Sequence, residues 1–195
     1  MDLKHFGDSY DIIKKSLLQW LAEFGPWKAQ PMFTDMPKDT EAVAVSKNFE
    51  GFLAVPIVSN CELTPDSDRN HYFDCCGDCR SLFLDPTTGI ALPDQPVTRS
   101  RLPKYILAKE LEILTHGCTG LTLTFDQSLP RGREQPQVQK KLRHFKGRGL
   151  HGFSYFSHTS FLLLGKNAAL VNKARSQLLA KSGLPDWRIL RSDNS

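Results

Sequence analysis

Apolar residues recur along this chain at two different periods, and the alternation between them predicts an α/β protein. Gly7-Asp8-Ser9-Tyr10-Asp11 opens a helix, with Asp8 or Ser9 placed to accept from the free N–H groups of its first turn. Ile13, Leu17, Trp20, Leu21 and Phe24 then repeat at helical spacing until Gly25-Pro26 stops them. Residues 27–34 predict a strand that Pro31 confines to a sheet edge or strand end. Asp39 or Thr40 is placed to cap a short helix through Val45 and Phe49, and residues 52–58 predict a second strand interrupted by Pro56. Residues 61–80 show no period.

The stretch Ser81-Leu82-Phe83-Leu84 then reads as a short buried strand running into the turn Asp85-Pro86-Thr87-Thr88-Gly89. Pro103 suits the first turn of a helix whose buried face is Ile106, Leu107, Leu111 and Leu114, with Gly117 at its end. Residues 121–125 form the next strand and end in Asp126-Gln127-Ser128. Val138, Leu142 and Phe145 mark a helix within residues 130–149. Residues 152–156 and 161–165 flank four polar residues and predict an antiparallel hairpin. Asn167 caps a last helix with Leu170, Val171, Ala174, Leu178 and Leu179 inward, ended by Gly183-Leu184-Pro185. From Asp186 onward, Trp187 apart, the chain reads as a frayed tail.

This order predicts a three-layer, Rossmann-like open sheet, mostly parallel, with a C-terminal antiparallel hairpin. In such sheets the ligand crevice lies outside the carboxyl ends of the strands. Asp85 and Asp126 follow two apolar strands joined by one helical crossover. They are therefore expected on adjacent parallel strands, flanking one crevice, with carboxylates near enough to share a ligand or water.

A length of 195 residues fits one domain with one core. Apolar runs are too short to span a bilayer and residues 1–5 show no signal-peptide core, so a cytoplasmic protein with no membrane partner is expected. Five cysteines, an odd number, read as thiols rather than as a disulfide framework. Cys76 and Cys79 form one C-x-x-C, with Cys61, His71 and Cys75 nearby. A structural zinc site needs two such pairs, so the loop is expected to be free of metal, with a redox-active pair as an alternative.

Charge adds a candidate surface. The net charge is only +4, but Arg131, Arg133, Lys140, Lys141, Arg143, Lys146 and Arg148 face a single acid, Glu134, within residues 130–149. Arg131, Arg133, Lys140, Arg143 and Arg148 are the candidates for contact with RNA or DNA phosphates; a merely solvated helix face is the alternative. Asp8 and Asp11, one turn apart at the positive end of the first helix, are good helix-start chemistry, and with Lys14 they also form a polar mouth.

Residues 6–15, Phe-Gly-Asp-Ser-Tyr-Asp-Ile-Ile-Lys-Lys, the Leu-Phe-Leu-Asp-Pro-Thr-Thr-Gly-Ile run ending at Ile90, and the Phe125-Asp126-Gln127-Ser128 strand end together resemble an uncharacterised bacterial and phage family. That family shows a Gly-Asp-x-x-Asp-x-x-Lys start and an Asp-Pro-Asp-x-Gly-Ile/Leu centre. More distantly, the same landmarks are similar to RNA adenine-N6 methyltransferases with a Gly-Asn-x-x-Asp-x-x-Lys-His start and a catalytic Asp-Pro-Pro-Tyr. In those enzymes the acid and the following carbonyl hold the exocyclic amine and the aromatic stacks on the base. Asp85 and Pro86 match; Thr87 and Thr88 do not. The glycine-rich turn that lets a methyltransferase's first strand approach S-adenosylmethionine is missing.

The resulting expectation is a nucleic-acid-acting protein of methyltransferase-like fold with a degenerate cofactor motif. Asp85, Pro86, Asp126, Asp8 and Asp11 form the candidate catalytic set, and Gly7, Asp8, Lys14 and Gly89 the cofactor-binding set, with S-adenosylmethionine as the implied cofactor. In an alternative reading, Asp85, Asp126 and one of Asp8 or Asp11 hold Mg²⁺ for a nuclease or phosphohydrolase, because hard cations prefer oxygen ligands. A third is a non-catalytic interaction module. Ser128 and His158 do not make a hydrolase triad, since Ser128 lacks a glycine-flanked elbow.

Overall fold

The computed structural model describes residues 6–37, 40–77 and 79–192; the capping role read for Asp39 and the last three residues of the expected tail lie outside these. Helix α1 (Ser9–Trp20) begins where Asp8 accepts from the backbone N–H of Tyr10 at 2.8 Å and of Asp11 at 3.1 Å. The cap satisfies donors that a helix start leaves open. Leu17, Leu18 and Leu21 turn inward from this helix and its end.

Strands β1 (Trp27–Gln30), β2 (Ser81–Leu84) and β5 (Leu121–Asp126) are parallel neighbours. Strand β7 (Ser160–Gly165) lies antiparallel beside β5, and its hairpin partner β6 (His151–Phe156) lies beyond it, so β6 runs with β5. Strand β8 (Ile189–Arg191) closes that side, antiparallel to β6. The result is a mixed six-stranded sheet, order β1-β2-β5-β7-β6-β8, in which β1, β2, β5 and β6 share one direction.

Helices α1, α2 (Thr40–Leu53) and α6 (Ala168–Ser182) bury Leu17, Phe49, Val171 and Leu178 with Phe83, Leu123, Phe125 and Leu163 of the sheet. Helices α3 (Arg69–Asp74), α4 (Ala108–Gly117) and α5 (Glu134–Lys146) bury Phe73, Leu111, Leu142 and Phe145 with Leu82, Leu84, Leu162 and Leu164. Alternate residues of one strand thus serve opposite cores, as a pleated strand requires, and the sheet is the middle of three layers. No helix among the described residues is long and apolar enough to cross a membrane.

Four stretches differ from the sequence reading. Residues 52–58 are not a strand: α2 continues to Leu53, Ala54 turns the chain at a φ of 57°, and only Ile57 bridges to β1. Ile106 and Leu107 belong to strand β4 (Tyr105–Leu107), paired in parallel with β3 (Gly89–Ala91) outside the main sheet, and Pro103 sits in the 3-10 turn before it. Three residues are too few for a period to distinguish helix from strand. Asp68 caps α3 inside the stretch without a period. The supposed tail supplies β8, with Ile189 and Leu190 buried while Trp187 stays exposed, because pairing with β6 holds it.

Candidate functional site

The strand ends bring two distant parts of the chain together. Lys14, on the second turn of α1, donates to Asp11 Oδ1 at 2.8 Å and to Asp85 Oδ2 at 2.9 Å. Asp11 is further held by the Gly7 N–H on its Oδ2 at 2.8 Å, and the Lys14 ammonium stands 4.4 Å from the centre of the Phe125 ring. All three charged side chains are buried. Burial alone would lower the pKa of the Lys14 ammonium, but the carboxylates of Asp85 and Asp11 outweigh it and leave the pKa raised. Burial raises the Asp85 carboxyl more than Lys14 lowers it. Both directions follow from one ammonium serving two carboxylates in a dry site.

A second centre forms around Asp126. Its Oδ1 accepts from the Ile90 N–H at 3.1 Å, the Ser128 N–H at 3.1 Å and the Ser128 hydroxyl at 2.6 Å. Its Oδ2 accepts from Lys141 at 2.6 Å. Lys141 also donates to Ser128 Oγ at 2.6 Å, so serine, lysine and aspartate close a ring. Gly89, at a φ of 133°, passes so close that a Cβ there would lie 2.1 Å from Asp126 Oδ1. The start of β3 is therefore tied to the Asp126 carboxylate through the Ile90 N–H, with Gly89 seated against it.

Asp85 and Asp126 do sit at adjacent parallel strand ends, but they do not flank one shared space. The β2–β5 register pairs Leu84 with Thr124, which sets Asp85 level with Phe125 and leaves Asp126 one residue further on. Neighbours of unlike parity point to opposite faces of a sheet. Asp85 accordingly meets Lys14 of α1, and Asp126 meets Lys141 of α5, on the other face.

This geometry fits Mg²⁺ poorly. Asp11, Asp85 and Asp126 already receive ammonium groups at salt-bridge distance, Asp8 is spent on its helix cap, and no three His, Cys, Asp or Glu residues cluster as a metal site among the described residues. The cofactor set fits S-adenosylmethionine no better. Where a glycine turn would admit it, β1 is followed by Pro31, Met32 and Phe33, all buried, with Met32 at a φ of 48°. Gly7 donates to Asp11, Gly89 is filled from behind by Asp126, Pro86 is buried, and Thr87 meets Thr34 at 3.2 Å.

The basic residues lie along α5 and beyond both its ends: Lys140 and Arg143 on the helix, Arg131 and Arg133 before it and Arg148 after it. Arg131, Arg133, Lys140, Arg143 and Arg148 are exposed. Lys140 is paired with Asp94, Arg148 lies 3.9 Å from Glu112, and Arg131, Arg133 and Arg143 make no ion pair among the described residues. Lys141 does not belong to this face. It lies three residues after Val138 and four before Phe145, on the apolar stripe, a spacing that identifies it from sequence as buried. In the cysteine segment Cys61 and Cys75 are exposed and Cys76, Cys79 and Cys118 buried.

Comparison with protein-family models, curated proteins and solved structures finds no match for this chain.

Proposed function

We propose that the protein binds nucleic acid through the exposed face of α5, on a methyltransferase-like α/β frame whose cofactor mouth has degenerated. The observation that carries the reading is the imbalance along that helix and its two ends: Arg133 and Arg143 are exposed and make no ion pair among the described residues, and exposed Arg131, Lys140 and Arg148 lie in the same segment. Such a row neutralises phosphates and releases their counterions. The order strand, helix, strand, helix and hairpin from β2 onward, with β7 reversed beside β5, supports the methyltransferase-like frame. The convergence of Asp11, Lys14 and Asp85 supports the resemblance that joins the two ends of that motif. Filled space after β1 and ammonium-saturated carboxylates argue for binding rather than transfer chemistry.

Titration of single- and double-stranded RNA and DNA at several salt concentrations tests this. Binding is expected to weaken with salt by roughly 0.7 to 0.9 log units per log unit for each phosphate neutralised. Arg133→Glu with Arg143→Glu is expected to flatten that slope and leave the fold intact, since both residues are exposed and make no ion pair among the described residues. Absence of binding by the wild type at low ionic strength makes the α5 face an ordinary solvated surface.

A further inference from the structure

At the other end of the sheet a small cavity of about 150 Å³ opens between the end of α5, the start of β6, the first turns of α6 and the end of β8. Its wall gathers Lys146, His151, Asn172, Arg175 and Arg191, four of them basic. Because β6 runs with β5, His151 at its start lies opposite the Asp85 and Asp126 strand ends. Ala168, the first residue of the fifteen-residue α6, lines the same wall and brings the positive end of the helix to the rim.

The two arginines share one carboxylate. Arg175 Nη2 donates to Asp186, and Arg191 Nη2 lies 3.3 Å from its Oδ2. The Nε of each arginine is buried and has no hydrogen-bond partner among the described residues. Nearly all buried N–H groups in folded proteins are satisfied, so two orphans on adjoining arginines of one cavity call for an acceptor. A guanidinium carries five N–H donors in one plane, so with Nη2 of each arginine engaged by Asp186 its other N–H groups are left to serve a second anion. Among the described residues one carboxylate serves the two guanidiniums, which leaves positive charge over, and a helix start favours an anion.

We propose that this cavity binds a phosphate group, either as the free anion or as the terminal phosphate of a nucleic-acid strand. The site is distinct from the exposed α5 face and stands whether or not that face binds nucleic acid.

Calorimetric titration of the full chain with inorganic phosphate, in a phosphate-free buffer of low ionic strength, is the test. One saturable site is expected, weakened about tenfold or more by Arg175→Met, as loss of a charged hydrogen bond implies. Because Arg175 also holds Asp186, Lys146→Gln and His151→Gln serve as variants on the rim that leave that contact in place, and each is expected to weaken binding several-fold. A 5′-phosphorylated trinucleotide that binds more tightly than phosphate, while its unphosphorylated form does not bind, assigns the ligand to a strand end; equal affinity for phosphate and phosphorylated trinucleotide assigns it to the free anion. No saturable binding of either phosphate compound, or binding unchanged in all three variants, overturns the proposal. Phosphate binding retained in the Arg133→Glu, Arg143→Glu protein separates this site from the α5 surface.

Discussion

The Lys14 ammonium lies 2.9 Å from the Asp85 carboxylate and 2.8 Å from that of Asp11, so one buried cation holds a helix start to the end of a strand 71 residues away. Removing the cation and removing one anion are therefore unequal changes. Lys14→Met leaves two carboxylates facing each other out of water, and a loss of about 3–5 kcal/mol is expected. Asp85→Asn leaves Lys14 paired with Asp11, and a loss of roughly 1–2 kcal/mol is expected. Urea unfolding of both variants at neutral pH checks the order; a larger loss for Asp85→Asn would mean that Asp11 does not share the charge.

The same cluster sets a pH dependence. The folded protein holds a proton on Asp85 more tightly than the ordinary value of 3.8. The stability this contributes is fully present below that value and is lost as pH rises through the higher folded one. Relative to Asp85→Asn, the wild type is expected to have its greatest advantage at the acid end of a stability profile, an advantage that shrinks toward the smaller neutral-pH difference as pH rises. An advantage that grows with pH would reverse the assigned direction.

Gly89 is a position where any side chain fails. Its φ of 133° is outside the range other residues adopt readily, and a Cβ would meet Asp126 Cα at 3.0 Å as well as Oδ1 at 2.1 Å. Backbone strain and overpacking together imply a loss of roughly 3 kcal/mol for Gly89→Ala. Thermal unfolding of the variant, with Gly132→Ala as the comparison, measures it: Gly132 also has positive φ, but its Cβ would meet nothing within 4 Å.

The thiols divide by depth. Burial, with Cys79 nearby, pushes the Cys118 thiol up to about 12, and burial with Cys75 alongside pushes Cys76 up as well. Thiolate is the reactive form. Iodoacetamide at neutral pH is expected to label Cys61 and Cys75 in the folded protein and to reach Cys76, Cys79 and Cys118 only in denaturant, as read by peptide mass spectrometry. Early labelling at Cys118 would show that the α4 side opens.

Much of the frame was legible because long periodic segments carry their own signal. α1, α5 and α6, the hairpin, and the β2–β5 crossover follow from spacing and caps alone. The facing of the two acids did not. Leu121, Leu123 and Phe125 alternate with threonines and so assign Asp126 to the threonine face, but Leu82-Phe83-Leu84 is apolar on both faces and gives Asp85 no parity. Only the register between strands fixes it, and register is a property of the pair. Lys141 was legible by its place on the Val138–Phe145 stripe, yet its charge suggested solvent until Asp126 provided a buried partner. β3, β4 and β8 have three residues each and depend on tertiary contacts.

The two margins of the sheet are finished differently. On one side, Ala29 donates to Pro56 O and accepts from Val58 N, both at 2.8 Å, so residues 56–58 sheathe β1. On the other side, among the described residues, three residues of β8 pair along the outer edge of β6. A chain shortened before Ile189 would bare the outer backbone edge of β6 at residues 153–155, beside Phe153 and Tyr155, as an unsatisfied ladder. Such a margin recruits strands from other copies. The last strand thus protects the protein from self-association as well as completing its core.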